Sequence, residues 1–447
     1  MTNNKDKVLE QKIQEIEKTI PDKRTPIDFQ TLEKIISKWL LIQDKGIIKV
    51  LAASIIANKL KTDPVWLFIV AASGGTKTEL IRGLNKIDGI YPISDLTPQT
   101  FLSGEKGHKN ASLLLRLPLE DTILTYKDFT TCLTMHRDKR HAILSQLREI
   151  YDGYYRKEFG TGETKTWEGK MGFIAGVTSV IDNHQSIFQV LGERFVQYRP
   201  SQPNTIALAK KAMANSGGEK VMREEIQNAF ANFVAGVEIP QEIPAISEEL
   251  KDRIAHLAAF CVRARSGVIR DSFSSREIEL IPDSELPTRL AKQFITLSSA
   301  LVLIGDTPEE NYELIFKIGM DTLPQKRKRT LETLIGATKE LETVDVAMEI
   351  GYPTNTTRRI LEDLHGLGLV KRQHEGKGYA DRWLISDYTK ELLEKAKPNS
   401  LKLKSPSVSA GEDTVPEKSD EIIEEANNLF DASGNNALPE MSEKQII

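Results

Sequence analysis

Apolar residues along this chain fall into short unbroken runs and longer segments with helical spacing. The run Val65-Trp-Leu-Phe-Ile-Val70 is apolar throughout and too short for a helix, which predicts a strand covered on both faces. Residues 28 to 62 upstream carry two apolar-periodic helices. Residues 1 to about 25 space Val8, Leu9, Ile13, Ile16 and Ile20 in a heptad-like way, as an exposed helix or association segment does. Downstream the pattern predicts a helix over 77–87, a strand at Gly89-Ile-Tyr-Pro-Ile-Ser94, a buried strand at Thr122-Ile-Leu-Thr-Tyr126 and a helix over 137–151. Two alternating runs, 154–159 and 164–175, flank Gly160-Thr-Gly-Glu163 and predict a hairpin that continues into a core strand. Strands alternating with helices predict a parallel three-layer α/β unit over 28–203, preceded by a flexible or helical segment over 1–27.

From 204 to about 320 the pattern is nearly all helical, with apolar-periodic stretches at 250–268 and 290–304, which predicts a helical subdomain over 204–323. A further change of character marks 324–397. Helices are expected at about 328–340, 341–350 and 356–368, with a turn at Gly351-Tyr-Pro-Thr-Asn355. Two alternating segments, Leu369-Val-Lys-Arg-Gln373 and Tyr379-Ala-Asp-Arg-Trp-Leu-Ile385, surround Glu375-Gly-Lys-Gly378. Residues 398–447 mix Ser, Pro, Asn and acids with few aromatics, too little apolar surface to offset the entropy of ordering, and are expected to form a disordered acidic tail.

Composition adjusts this picture in three places. A length of 447 residues at 40% hydrophobic content suits roughly three domains. The net charge of −4 is concentrated in the tail, where ten acids face four bases, so the rest of the chain is slightly basic. Cys132 and Cys261 lie far apart without a C-x-x-C spacing, which predicts two reduced core residues rather than a zinc site or a disulfide. No run is long enough to span a membrane and the polar start Met1-Thr-Asn-Asn-Lys-Asp is not a secretion signal, so a cytoplasmic protein without membrane contact is expected.

The chemistry begins after the first strand, at Ala71-Ala-Ser-Gly-Gly-Thr-Lys-Thr78. A phosphate-binding loop needs consecutive backbone N–H groups between a strand and a helix, a lysine for the β/γ oxygens and a hydroxyl for Mg²⁺. Ser73, Gly74, Gly75, Thr76, Lys77 and Thr78 supply these in order, and so nominate ATP and Mg²⁺ as ligands. The usual pattern has glycine where Ala71 and Thr76 stand, and Thr76 requires a backbone conformation open to a β-branched residue. The loop also needs an acid at the end of a neighbouring strand, and Asp128 closes Thr122-Ile-Leu-Thr-Tyr-Lys-Asp-Phe129. It stands alone between Lys127 and Phe129. Either it serves Mg²⁺, beside Thr78, and the base comes from elsewhere, or it is itself the base.

In the order of these parts the chain resembles a AAA+ P-loop ATPase, and within that class the minichromosome maintenance (MCM) helicase branch, over about residues 40–305. Lys127-Asp-Phe-Thr-Thr131 matches that branch's acid-acid-Phe motif with Lys127 in place of the first acid. The resemblance implies that the 154–175 hairpin faces DNA in a central channel and that Gly176-Val-Thr178 is the sensor-1 position, with Thr178 for the usual Asn. It implies further that Leu191-Gly-Glu-Arg-Phe195 carries an arginine finger, Arg194, and that Leu286-Pro-Thr-Arg-Leu-Ala-Lys-Gln293 opens the sensor-2 helix with Arg289. A finger acting in trans requires a homo-oligomer such as a hexameric ring. Taken singly, Arg194 also reads as a surface cation and Arg289 as a first-turn helix residue. Arg263, Arg265 and Arg270 read as solvated or interdomain residues.

Residues 324–397 resemble a winged helix-turn-helix domain, which implies DNA as a partner. Asn355, Thr357, Arg358 and Arg359, with Thr354, open the expected recognition helix, and Lys371, Arg372, Lys377 and Arg382 would charge the wing. Twelve acids against fourteen bases make this a weakly basic module, and a protein-binding winged helix is the alternative. The leading expectation is an ATP-driven helicase or translocase on DNA. Its rivals are a DNA-binding regulator with a nucleotide switch and little turnover, and an assembly platform with none.

Overall fold

The structure, a computed structural model, describes residues 24–74, 76–104, 111–184, 193–201, 204–271, 276–376 and 378–402. The expected segment before residue 24, Gly75, Lys377 and the expected tail beyond residue 402 lie outside the described residues. Seven strands build the first part of the chain: β1 (Trp66–Val70), β2 (Ile90–Ile93), β3 (Thr122–Tyr126), β4 (Tyr154–Glu158), β5 (Thr164–Glu168), β6 (Met171–Val177) and β7 (Phe195–Tyr198). Five of them form one sheet in the order β2-β3-β6-β1-β7, parallel at every pairing.

Alternation along these strands fills two cores. Leu67, Ile69, Ile123, Ile174 and Val196 face one side, and join a cluster with Leu32, Ile36, the helix Gly46–Lys59 and Phe230. Trp66, Phe68, Leu124, Tyr126, Phe173 and Phe195 face the other, with Ile143, Leu147 and Ile150 of the helix Arg137–Tyr151. The aromatic side chains interlock: Phe68 and Phe195 stack at 3.8 Å between ring centres, and Trp66 meets Tyr151 edge-on at 5.2 Å. The expected parallel α/β unit is therefore present, with helices on both faces of the sheet.

Strand β1 is fixed at its start by one buried amide. Asn58, 2% exposed near the end of Gly46–Lys59, donates to Ser54 O and Val65 O at 2.8 Å each and accepts the Val65 N–H at 3.0 Å. The expected hairpin forms between β4 and β5, but as a separate two-stranded sheet, and it does not run on into the core strand. The chain turns at Gly169-Lys170, where Gly169 N donates to Gly153 O and Lys170 N to Leu119 O. A Cβ on Gly169 would stand 2.6 Å from that same Leu119 oxygen.

The helices Glu219–Gly236, Glu248–Arg265, Thr288–Leu303 and Pro308–Asp321 follow. The nearly all-helical expectation misses a small antiparallel pair, Ile269–Arg270 with Ile278–Leu280. Next come the helices Gln325–Gly336, Thr343–Ile350 and Thr354–Gly366, and a three-stranded antiparallel sheet in which Arg382–Ile385 lies between Leu341–Glu342 and Val370–Gln373. A further helix, Asp387–Ala396, was not expected; it packs on Glu248–Arg265. Arginines join these parts. Arg327 donates to Ala264 O at 3.1 Å and Ser266 O at 2.6 Å, Arg263 to Leu367 O, and Arg270 pairs with Glu362 and Asp363. Arg263 and Arg270 thus fit the interdomain expectation, and so does Arg265, which is 3% exposed and pairs with Glu193 of the α/β unit as well as with Glu285 of its own segment. Both cysteines are free and buried, as expected. Among the described residues no helix is long and apolar enough to cross a membrane.

Replacing Asn58 with Ala leaves the Val65 N–H and C=O buried without their partner, and is expected to cost about 2–4 kcal/mol in urea unfolding.

Candidate functional site

The carboxyl ends of β1, β3 and β6 meet at one edge of the sheet, where ligands of open parallel sheets collect. Strand β6 lies between the other two, so the acid after β3 is not on a strand adjacent to the loop strand, as the sequence suggested. Both neighbours are bound to it past their last ladder pair: Ala71 N donates to Val177 O at 3.0 Å and Phe129 N to Gly176 O at 2.7 Å. Gly176 is required there, because a Cβ would lie 2.6 Å from Lys127 O and 3.4 Å from Lys77 Cδ.

In the loop, Ser73 and Gly74 are exposed, and Gly74 takes φ +78°, the left-handed region that favours glycine. Thr76 sits at φ −65° and ψ −11°, ordinary right-handed backbone, which removes the steric objection to a β-branched residue here. Lys77 opens the helix Lys77–Gly83 and is 4% exposed, its ammonium donating to Ala71 O at 3.1 Å and Ala72 O at 3.0 Å. Burial pulls its pKa below the usual lysine value, and the Asp128 carboxylate opposes the shift. Lysine and acid are therefore close enough to feel each other.

Asp128 is exposed and its Oδ1 accepts the Thr130 N–H at 3.1 Å. The Thr131 hydroxyl donates to Asp128 O at 2.9 Å and lies 2.9 Å from the Tyr126 hydroxyl. At the end of β6, Thr178 donates its N–H to Thr130 Oγ1 at 3.0 Å, and the two hydroxyls are 3.2 Å apart. Lys77, Thr78, Asp128 and Thr178 are thus assembled from three strands. Thr130 was not singled out in the sequence.

The donor set suits a nucleotide with Mg²⁺. No group of three or more His, Cys, Asp or Glu side chains able to hold a metal occurs among the described residues. Mg²⁺ in a nucleotide site takes most of its ligands from phosphate and water and few from the protein.

The two nominated arginines lie elsewhere. Trp66 is in register with Phe195, so Arg194 stands at the amino end of β7 while the loop follows the carboxyl end of β1, about 16 Å away along five residues of strand. Arg194 is 6% exposed, pairs with Asp152 at 2.9 Å and lies 5.7 Å from the centre of the Tyr151 ring. The alternative of a surface cation does not describe it. Burial lowers its pKa against the pull of Asp152. Arg289 joins it from the helix Thr288–Leu303, donating to Glu285 at 2.8 Å and Glu193 O at 3.4 Å, while Gln293 donates to Arg194 O at 2.6 Å. Beneath them Arg265 holds Glu285 at 2.8 Å and Glu193 at 3.6 Å.

In the C-terminal part, Asn355 and Arg358 are exposed and bonded to each other, and Arg359 is partly exposed. Thr357 is not available for contact: it is fully buried, its hydroxyl donating to Pro353 O at 3.3 Å, because the helix starts at Thr354 and turns Thr357, Ile360, Leu361 and Leu364 inward. The strand cations each have an acid beside them, Lys371 with Asp387, Arg372 with Asp381 at 2.7 Å and Arg382 with Glu375 at 3.6 Å. An open concavity of about 850 Å³ nearby, lined by Leu334, Lys339, Glu342, Arg382 and Lys390, contains none of the loop residues and mixes both signs of charge. The chain matches no protein-family model and no curated protein.

Glu193 is buried, which pushes its pKa up, while Arg265 and Gln197 pull it down and Glu285 pushes it up further. Arg265→Met removes the main offset and is expected to destabilise by about 3–5 kcal/mol at pH 7. A buried acid with a raised pKa favours the folded state only when protonated. The deficit relative to wild type should therefore shrink as pH falls toward about 4, the range of an unfolded glutamate, in urea titrations at both pH values.

Proposed function

We propose that this chain binds ATP with Mg²⁺ at the loop 71–78 and hydrolyses it, as a AAA+-type ATPase acting on DNA in a homo-oligomer. The observation that carries the reading is the convergence of Lys77, Thr78, Asp128 and Thr178 on one sheet edge from three parallel strands. The loop amides and the Lys77 ammonium bind the triphosphate, and the anion replaces the two carbonyls that now hold the ammonium. The Thr78 hydroxyl and the Asp128 carboxylate would hold Mg²⁺, which would supply positive charge against the phosphate oxygens. Thr178 orients the attacking water or a terminal phosphate oxygen from its place between the loop and the acid turn.

Arg194 and Arg289 lie together at the opposite edge, out of reach of their own loop, and so would serve the site of a neighbouring copy. The ion pair with Asp152 holds Arg194 until a neighbour's phosphate competes for it. For DNA, the exposed first turn of the helix Thr354–Gly366, with Asn355 and Arg358, is the better contact, since the strand cations are paired. The second reading, a DNA-binding regulator switched by nucleotide with little turnover, is favoured by the single acid at Asp128 between Lys127 and Phe129.

ATP hydrolysis measured with and without single- and double-stranded DNA tests the reading: a motor is expected to be stimulated by DNA, and Lys77→Ala to lose roughly 10- to 100-fold in nucleotide affinity and all stimulation. Arg194→Ala and Asp128→Asn should each be inactive alone and recover part of the rate when mixed. A wild-type chain that fails to bind ATP overturns the proposal, and binding without turnover leaves the switch. Arg358→Ala should weaken binding to all DNA sequences alike and reduce the slope of log affinity against log salt by about 1.

A further inference from the structure

We infer that Thr130 is a positioning residue that joins the acid to the hydroxyl of Thr178, an inference resting on the nucleotide reading of the loop. Two of its polar groups, the backbone N–H and the hydroxyl, are used in different directions. The backbone N–H donates to Asp128 Oδ1 at 3.1 Å and so fixes the rotation of the carboxylate. The hydroxyl oxygen accepts the Thr178 N–H at 3.0 Å and lies 3.2 Å from Thr178 Oγ1.

A hydroxyl has one proton and two lone pairs. One lone pair of Thr130 Oγ1 accepts the Thr178 N–H, and across the 3.2 Å between the two hydroxyls either oxygen can be the donor. With Thr130 as the donor, the Thr178 proton is free to be donated outward, to a terminal phosphate oxygen or the attacking water. Thr130 itself reaches neither. Through its N–H and its hydroxyl oxygen it ties the Asp128 carboxylate and the Thr178 hydroxyl to one residue, so that their separation is held.

The surroundings keep this arrangement in register. Phe129 N donates to Gly176 O at 2.7 Å, and Thr131 Oγ1 donates to Asp128 O at 2.9 Å, so the turn 127–131 is fastened to β6 and to its own backbone on either side of Thr130. In a site with a single acid, the placement of the Thr178 hydroxyl matters more than it would beside two carboxylates. The same turn puts Lys127 at the place of a second acid, so no carboxylate next to Asp128 in sequence can do the orienting.

The test compares Thr130→Val, which keeps the shape and removes the hydroxyl, with Thr130→Ser, which keeps the hydroxyl. Steady-state ATP hydrolysis and binding of a fluorescent ATP analogue are measured for both and for wild type, with thermal unfolding as a check on folding. Thr130→Val is expected to lower kcat about 10-fold or more, with the analogue's Kd within about twofold of wild type, and Thr130→Ser to stay within about threefold of the wild-type kcat. A wild-type kcat in Thr130→Val, a Thr130→Ser as slow as the valine variant, or a parallel loss of binding would each overturn the inference while the nucleotide reading stands. A wild-type chain that binds the analogue but does not turn over overturns it too, and one that does not bind removes both. Should Thr130→Val fail to fold, the serine and alanine variants decide by the same comparison of kcat with Kd.

Discussion

The hydrogen-bonded pairing of β6 with β1 on one side and β3 on the other is what the candidate site depends on. Each strand is short and buried at every position, so its register is set by which side chains fall into which core. Trp66, Phe68, Phe173 and Phe195 enter one core and Leu67, Ile69, Ile174 and Val196 the other. A slip of one residue would reverse every one of them. The strand ends are therefore placed by the packing of the whole sheet, and with them the loop, the acid turn and Thr178. Gly176 marks how little room is left, since the Lys127 carbonyl occupies the space that a side chain would need.

Much of this was readable along the chain because it is local. Unbroken apolar runs gave β1 and β3, the helix Arg137–Tyr151 followed from its periodicity, and the strand-loop-helix context singled out Lys77. The position of β6 between β1 and β3 was not readable, since parallel order joins strands distant in sequence, Trp66 with Phe173 and Thr122 with Met171, and leaves no mark on either. Burial of Arg265 was missed for the same reason: its partners Glu193 and Glu285 come from other elements. Thr357 is a different case. The spacing Thr357, Ile360, Leu361, Leu364 is an inward helical stripe visible in the sequence, obscured by starting the helix two residues late. The helix Asp387–Ala396 also left a signal, with Ser386 capping its first turn and Leu392, Leu393 and Ala396 on one side.

The charged side chains divide into two groups with different surroundings. Around the loop they are few, with Asp128 exposed and the Lys77 ammonium held by backbone carbonyls. At the amino edge Arg194, Arg265 and Arg289 are matched by Asp152, Glu193 and Glu285. Removing charge from that second group disturbs folding before it touches chemistry, and the effects of Arg265 and Arg194 have to be read against that background.

Arg253, Arg263 and Arg327 end on main-chain oxygens across a boundary that composition alone would draw near residue 323, and the Tyr312 hydroxyl reaches Ala396 O at 2.6 Å over the same divide. Guanidinium groups seated on carbonyls of another segment act as rivets between frames that each look self-contained in sequence. A chain shortened to residue 323 would expose the flank of Glu248–Arg265 on which Asp387–Ala396 lies, along with the cations that now cap it. The polypeptide cannot be divided there without wetting surface that both sides keep dry.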